Sequence, residues 1–146
     1  WNIIENNPTP RYYLDLRKYK GAKPTPFSTP VTSIYGLKTA LDLIAAEKLE
    51  NRIKRHAEIA KLCRDGVKKL GFELFPESEE ICSNTLTAVK SEKAAEIIKK
   101  LLEKHNIRIA GAQAHMKGKM FRIGHMGAIT KEHVEKTLAA LEDILQ

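Results

Sequence analysis

The sequence predicts an α+β fold: a two-layer sandwich in which a mainly antiparallel sheet carries helices on one face. Three observations point there. Apolar residues recur every three or four positions over Pro30–Leu70, Ser91–His105 and Thr130–Leu145, the spacing of helices with one buried face. Phe121 and Ile123 instead alternate with Met120, Arg122 and Gly124, the period of two of a half-buried strand. Read in order, the elements run helix, helix, strand, strand, helix, strand, strand, helix, which suits a sheet covered by segregated helices.

Trp1–Lys23 mixes aromatics, charges and turn residues and reads as a connecting segment. In Thr25-Pro26-Phe27-Ser28-Thr29-Pro30, Thr29 can cap a helix whose first turn takes Pro30. A helix N-terminus also suits phosphate, through free amides and the positive end of the dipole; on spacing alone a capped loop explains the segment equally well. From Pro30 the stripe runs Ile34, Leu37, Leu41, Ile44, slips phase, and resumes as Leu49, Ile53, Ala57, Ala60, Cys63, Val67, Leu70. The slip predicts two helices meeting near Lys48, because one unbroken helix would run roughly 60 Å. Gly71 should end the second as a C-terminal cap, and His56 within it reads as a surface or edge histidine.

Strands are expected at Phe72–Phe75, Thr85–Val89, Ile107–Ala110 and Met120–Gly124, with an acidic loop at Pro76–Ser83. Ser91 should cap a helix to His105 that buries Ile97, Ile98, Leu101 and Leu102. Thr130 should start the last helix, burying Val134, Leu138, Leu141 and Leu145. The loop Gly111–Lys119 holds His115, Lys117 and Lys119 between glycines, but their spacing matches no phosphate-binding loop; a mobile loop at a substrate entrance is the expectation.

At 146 residues this is one domain with a real core. A net charge of +7 invites a nucleic-acid reading. Lysines interleave with glutamates along Glu47–Glu58 and Glu92–Lys104, however, so a solvated, ion-paired surface fits better. Cys63 and Cys82 lack metal-ligand spacing and read as reduced, structural thiols of a cytoplasmic protein. No run approaches the ~20 apolar residues of a membrane span. The histidines, cysteines and carboxylates form no metal or triad pattern, and His125 is expected to pack or hydrogen-bond. The start at Trp1 rather than methionine suggests a fragment or processed product.

The chemistry centres on Phe121-Arg122-Ile123-Gly124-His125-Met126-Gly127. Arg122 faces away from Phe121 and Ile123, beside glycines that let a backbone approach a ligand. A guanidinium on a rigid strand grips a carboxylate through two parallel hydrogen bonds, and a solvated arginine on an exposed face is the bland alternative. This run resembles the C-terminal signature of class V, fold-type I, pyridoxal-phosphate-dependent aminotransferases. The likeness is to the alanine–glyoxylate and serine–pyruvate branch, including members labelled soluble hydrogenase small subunit, and extends from Pro10-Arg11-Tyr12-Tyr13-Leu14-Asp15-Leu16 to the last helix.

The resemblance implies that Arg122 holds the substrate's α-carboxylate. It further implies that Thr25 and Ser28 help bind the phosphate of pyridoxal 5'-phosphate in a neighbouring identical subunit, Ser28 standing where a threonine is usual. Residues 1–29 would be an arm after a large domain, 30–146 the small domain, and 30–48 the interdomain helix. The lysine that carries the cofactor lies upstream in that family, and Lys20 before Gly21 does not match its surroundings, so the chain alone is expected to be inactive. The substrates implied are a small amino acid such as alanine or serine and a 2-oxo acid such as glyoxylate or pyruvate, with no nucleic-acid or membrane partner. No nickel or iron–sulfur ligand pattern accompanies the hydrogenase label. A different class also accommodates the residues: a stand-alone α+β regulatory or small-carboxylate-binding module.

Overall fold

The computed structural model describes residues 1–7, 12–21 and 25–146, so Pro10 and Arg11 of the run Pro10–Leu16 lie outside the described residues. The helices are α1 (Asn2–Glu5), α2 (Val31–Glu47), α3 (Leu49–Lys69), α4 (Ala94–His105) and α5 (Lys131–Leu145). The strands are β1 (Leu86–Lys90), β2 (Ala110–Gly111) and β3 (Met120–Gly124). Contacts divide the chain into two units, Trp1–Ala46 and Glu47–Gln146.

In the first unit Asp15 accepts from Arg17 Nε at 2.7 Å, Nη2 at 2.8 Å and the Arg17 amide at 3.1 Å. It thereby caps the 3-10 turn Leu16–Tyr19. The Arg17 guanidinium holds this carboxyl down at about 2. Phe27 stacks on Tyr13 with ring centroids 4.6 Å apart and meets Tyr12 and Tyr19 at tilted angles. Lys20 pairs with Glu5. Helix α2 starts directly after Pro30 and buries none of its residues, leaving Val31, Ile34, Leu37 and Leu41 exposed.

The predicted break is present: Lys48 separates α2 from α3 with φ 68°. Beyond it α3 buries Ile59, Ala60, Cys63 and Val67. Leu49 and Ile53, expected on the buried stripe, are exposed, because the first turns of α3 reach past the sheet-covering core. Gly71 closes α3 at φ 83°, with Phe72 N–H bonded to the Val67 carbonyl at 3.1 Å and Gly71 N–H to that of Lys68 at 3.0 Å. These paired bonds satisfy the last carbonyls and need a left-handed residue, which glycine adopts without a Cβ clash.

The sheet is antiparallel in the order β1-β3-β2, so β3 is central. Thr87, Val89, Phe121 and Ile123 point to one face and are buried against α3, α4 and α5. Phe121 meets Phe72 edge-on with centroids 5.4 Å apart. Two expected strands are curtailed. Phe72–Phe75 contributes one isolated bridge, Leu74 to Val89, with flanking bonds from Phe75 N–H to Ala88 and Lys90 N–H to Glu73. Ile107 and Ile109 pack against the core, yet ladder pairing begins only at Ala110.

Helix ends also shift. Ser91 Oγ accepts from Lys93 N–H, so it caps the preceding turn, and α4 opens at Ala94. Ala94, Ile97 and Leu101 are buried, Ile98 packs partly against them, and Leu102 turns outward. In α5 the capped start at Thr130 holds, with His133 Nδ1 accepting the Thr130 N–H at 3.1 Å. The buried face is Val134, Ala140, Leu141 and Ile144; Leu145 is exposed and Leu138 half-buried over Gly66. Lysine–carboxylate pairs at i,i+4, such as Lys61–Asp65 and Lys131–Glu135, line the helices. Both cysteines are free, and no described helix is long and apolar enough to cross a membrane.

Phe121→Ala should cost about 3–5 kcal/mol in chemical denaturation, the range for emptying an aromatic core site. Leu49→Ala, at an exposed position, should stay within about 0.5 kcal/mol. Asp15 supplies an acid signature: its folded value of about 2 lies below the ordinary 3.8, so its stabilisation is complete above the ordinary value and fades as pH falls toward the folded one. Arg17→Ala should return the Asp15 carboxyl toward its ordinary value in a carbon-detected NMR titration.

Candidate active site

Cross-strand pairing sets Arg122 between Ala88 on β1 and Ala110 on β2. Alternation puts all three on the sheet face opposite the buried Phe121 and Ile123. The guanidinium does not wave freely: Nε and Nη2 both donate to the Gly111 carbonyl, at 3.0 and 2.7 Å. Both bonds end on one oxygen, so the chain lies toward β2. Among the described residues Nη1 has no hydrogen-bond acceptor, which leaves one edge of the fork for an anion. A planar guanidinium fixed this way can take a carboxylate with little further loss of rotamer freedom.

A second set of bonds holds the loop after β3. Arg55 on α3 pairs with Glu47 through Nε at 2.6 Å and Nη2 at 3.2 Å. The same guanidinium reaches the carbonyls of Ile129 at 2.8 Å and Gly127 at 3.0 Å. Arg55 thereby keeps the Glu47 carboxyl below its usual range. Gly127 N–H donates to His56 Nε2 at 3.2 Å, and His56 Nδ1 lies 2.7 Å from the Arg52 carbonyl. Nε2 therefore accepts, and Nδ1 donates to the Arg52 carbonyl. His56, expected as a surface or edge histidine, is half-buried and tied to the loop. Sequence reading missed Arg55 altogether, since its partners lie 72 and 74 residues away.

His125 is fully buried, with Nε2 2.9 Å from Thr87 Oγ1. Its amide donates to the Thr85 carbonyl at 3.0 Å, which extends the β3 line by one residue. Nδ1 finds no acceptor or donor among the described residues. Burial lowers the imidazole below its ordinary value, as does the positive charge of Arg64. Cys63, also buried, has its thiol pushed up by the same desolvation. Both are core groups within the Glu47–Gln146 unit.

Thr25 and Ser28 belong to the Trp1–Ala46 unit, described separately from Arg122. Thr25 Oγ1 donates to the Phe27 carbonyl at 2.8 Å and meets Thr29 Oγ1 at 2.9 Å. The exposed Ser28 hydroxyl has no partner among the described residues. Hydroxyls beside the start of the 17-residue α2 are donors suited to a phosphate, so this segment fits that group. His115, Lys117 and Lys119 stay exposed in the Gly111–Lys119 loop. No described histidines, cysteines and carboxylates cluster as a metal site.

Comparison with known proteins decides the family: the profile described as aminotransferase class I and II matches residues 19–141. The chain belongs to the aminotransferases. It is 42% identical over 150 residues to an uncharacterized aminotransferase of Methanocaldococcus jannaschii, covering 97% of this chain and 39% of that protein. Similarity is 37% to a soluble hydrogenase small subunit of a Synechococcus species, covering 99% and 39%. A serine–glyoxylate aminotransferase of Arabidopsis thaliana is 36% identical, covering 90% and 33%. Among solved structures, an alanine–glyoxylate aminotransferase from a Nostoc species superposes with a TM-score of 0.87 at 30% identity, over 97% of this chain and 40% of that one. The aminotransferase chain thus spans between a third and two-fifths of the length of these relatives, and its α+β sandwich is the small-domain fold of that family.

The buried His125 carries a pH signature for this aminotransferase segment. Its folded value lies below the ordinary 6.5, so the unfolded chain binds the proton first. Stability should be full above the ordinary value and decline as pH falls below it toward the folded value. Urea midpoints across that range should show the decline, and His125→Gln should flatten it.

Proposed function

We propose that this chain supplies the substrate-carboxylate arginine of a pyridoxal-phosphate-dependent aminotransferase. The reaction moves an amino group between a small amino acid, such as alanine or serine, and a 2-oxo acid, such as glyoxylate or pyruvate. The observation that carries the reading is Arg122: latched by Nε and Nη2 to Gly111, without an acceptor at Nη1 among the described residues, on the sheet face away from the core. An α-carboxylate gripped at that free edge would direct the Cα–H bond. Catalysis of this kind works by positioning, and small displacements of the anchor are expensive.

Pyridoxal phosphate, when bound, supplies the electron sink for breaking a bond at Cα. Thr25 and Ser28 are the residues of this chain that would hold its phosphate, in a second identical subunit. The lysine that carries the cofactor would come from the remainder that the relatives possess, as would the large domain. The chain by itself is therefore proposed to be inactive, and the complete protein to be a cytoplasmic homodimer. The unpartnered α2 stripe, Ile34, Leu37 and Leu41, suits packing against that remainder.

Arg122→Ala, placed in a protein that joins this chain to the remainder its relatives possess, should raise KM for both the amino and the oxo acid tenfold or more. That corresponds to ~1.5–3 kcal/mol for a charged hydrogen bond. Steady-state kinetics with both substrates would read it, and unchanged KM values would sink the assignment. Turnover by the 146-residue chain alone with added cofactor would overturn the proposed source of the lysine.

A further inference from the structure

One row of residues crosses the sheet face that carries Arg122. The antiparallel registers place Ala110, Arg122 and Ala88 side by side. The Leu74–Val89 bridge extends the same row by one position, to Phe75 opposite Ala88, and the Phe75 N–H bond to the Ala88 carbonyl at 2.9 Å fixes that register. Leu74 packs against the core, so its neighbour Phe75 turns to the other face, where it is 42% exposed. With strands about 4.8 Å apart, Phe75 and Arg122 stand on either side of Ala88, roughly 10 Å from each other.

The row is asymmetric about the arginine. Because Nε and Nη2 reach for Gly111, the guanidinium leans over β2 and away from Ala88. Along the row the Ala88 methyl forms the floor between the Phe75 ring and the Arg122 cation, whose Nη1 has no acceptor among the described residues. Phe75 also borders an open recess with Lys90 and Met116, so its ring is not walled off by the fold. Among the described residues no other polar side chain belongs to this row.

The geometry points to a side-chain subsite: an amino or 2-oxo acid held by Arg122 lays its Cα substituent over Ala88 against Phe75. Beyond the small acids of the proposed reaction, the row accommodates an apolar substituent larger than methyl, and Ala88 and Phe75 then set the upper limit of substrate size. This rests on the reading of Arg122 as the carboxylate anchor. Filling the floor removes room for a large substituent but none needed by an acid without one. Removing the ring takes away apolar contact only from the large acid.

The test compares 4-methyl-2-oxopentanoate with glyoxylate as amino acceptors in a protein joining this chain to the remainder of its relatives. Ala88→Leu should lower kcat/KM for the large acid about 10-fold or more, the scale of a pocket changed by methylene-sized groups, and leave glyoxylate within about twofold. Phe75→Ala should weaken the large acid selectively, and Ala88→Val gives the same comparison if the leucine variant does not fold. Equal effects on both acids, or none, would overturn the subsite. A second readout needs no turnover: in NMR titration of the chain, the large acid should shift the Phe75 ring signals and glyoxylate only the Arg122 Nε–H signal, and an unmoved ring would count against the proposal. Arg122→Ala separates the two readings. If it weakens neither acid the carboxylate anchor fails, and the subsite with it; if it weakens both while the Ala88 and Phe75 variants are unselective, only the subsite fails.

Discussion

The hydrogen bonding of β3 on both edges is the constraint on which the Glu47–Gln146 unit depends. β1 pairs along its whole length and β2 at Arg122 and Phe121, so β3 cannot slip register without inverting every side chain on it. That locks Phe121 and Ile123 into the core beneath α3, α4 and α5, and it delivers Arg122 to the opposite face. Burial of one side of the strand is thus what presents the Arg122 guanidinium on the other. The latch to Gly111 adds the last degree of order, because it holds a side chain with several free torsions against a backbone oxygen.

The strand also needs its exit secured. His125 continues the ladder through Thr85 and sinks its ring to Thr87. Two residues later the loop is gripped from α3, where Arg55 and His56 take the carbonyl and the amide of Gly127. Gly127 adopts φ 71°, a conformation that other residues enter at a cost. Arg55 is half-buried and satisfied by a carboxylate and two carbonyls together, a full use of the fork that a lysine could not reproduce.

The first unit follows a different logic. Its order comes from a local carboxylate–guanidinium pair and an aromatic cluster around Phe27, while α2 buries nothing. Its exposed Val31, Ile34, Leu37 and Leu41 make an apolar surface of the kind that marks association sites.

The sequence alone determined what depends on neighbours a few residues apart. Helical periods, the phase slip at Lys48, the glycine stop at Gly71, the Thr130 start and the alternation around Arg122 are all local, and all are present. So is the family, because the Phe121–Gly127 run is a contiguous motif. Tertiary structure decided what depends on distant partners. Leu49, Ile53 and Leu145 sit on apolar stripes yet face solvent, since the core extends only as far as the sheet and its facing helices. Phe72–Phe75 and Ile107–Ala110 have strand composition but little ladder, because pairing is a property of two segments and not of one. The Arg55 grip on Gly127, the Arg122 latch and the row from Phe75 to Ala110 join residues 11 to 72 positions apart. No periodicity encodes such pairings; they exist only once the sheet has brought the segments together.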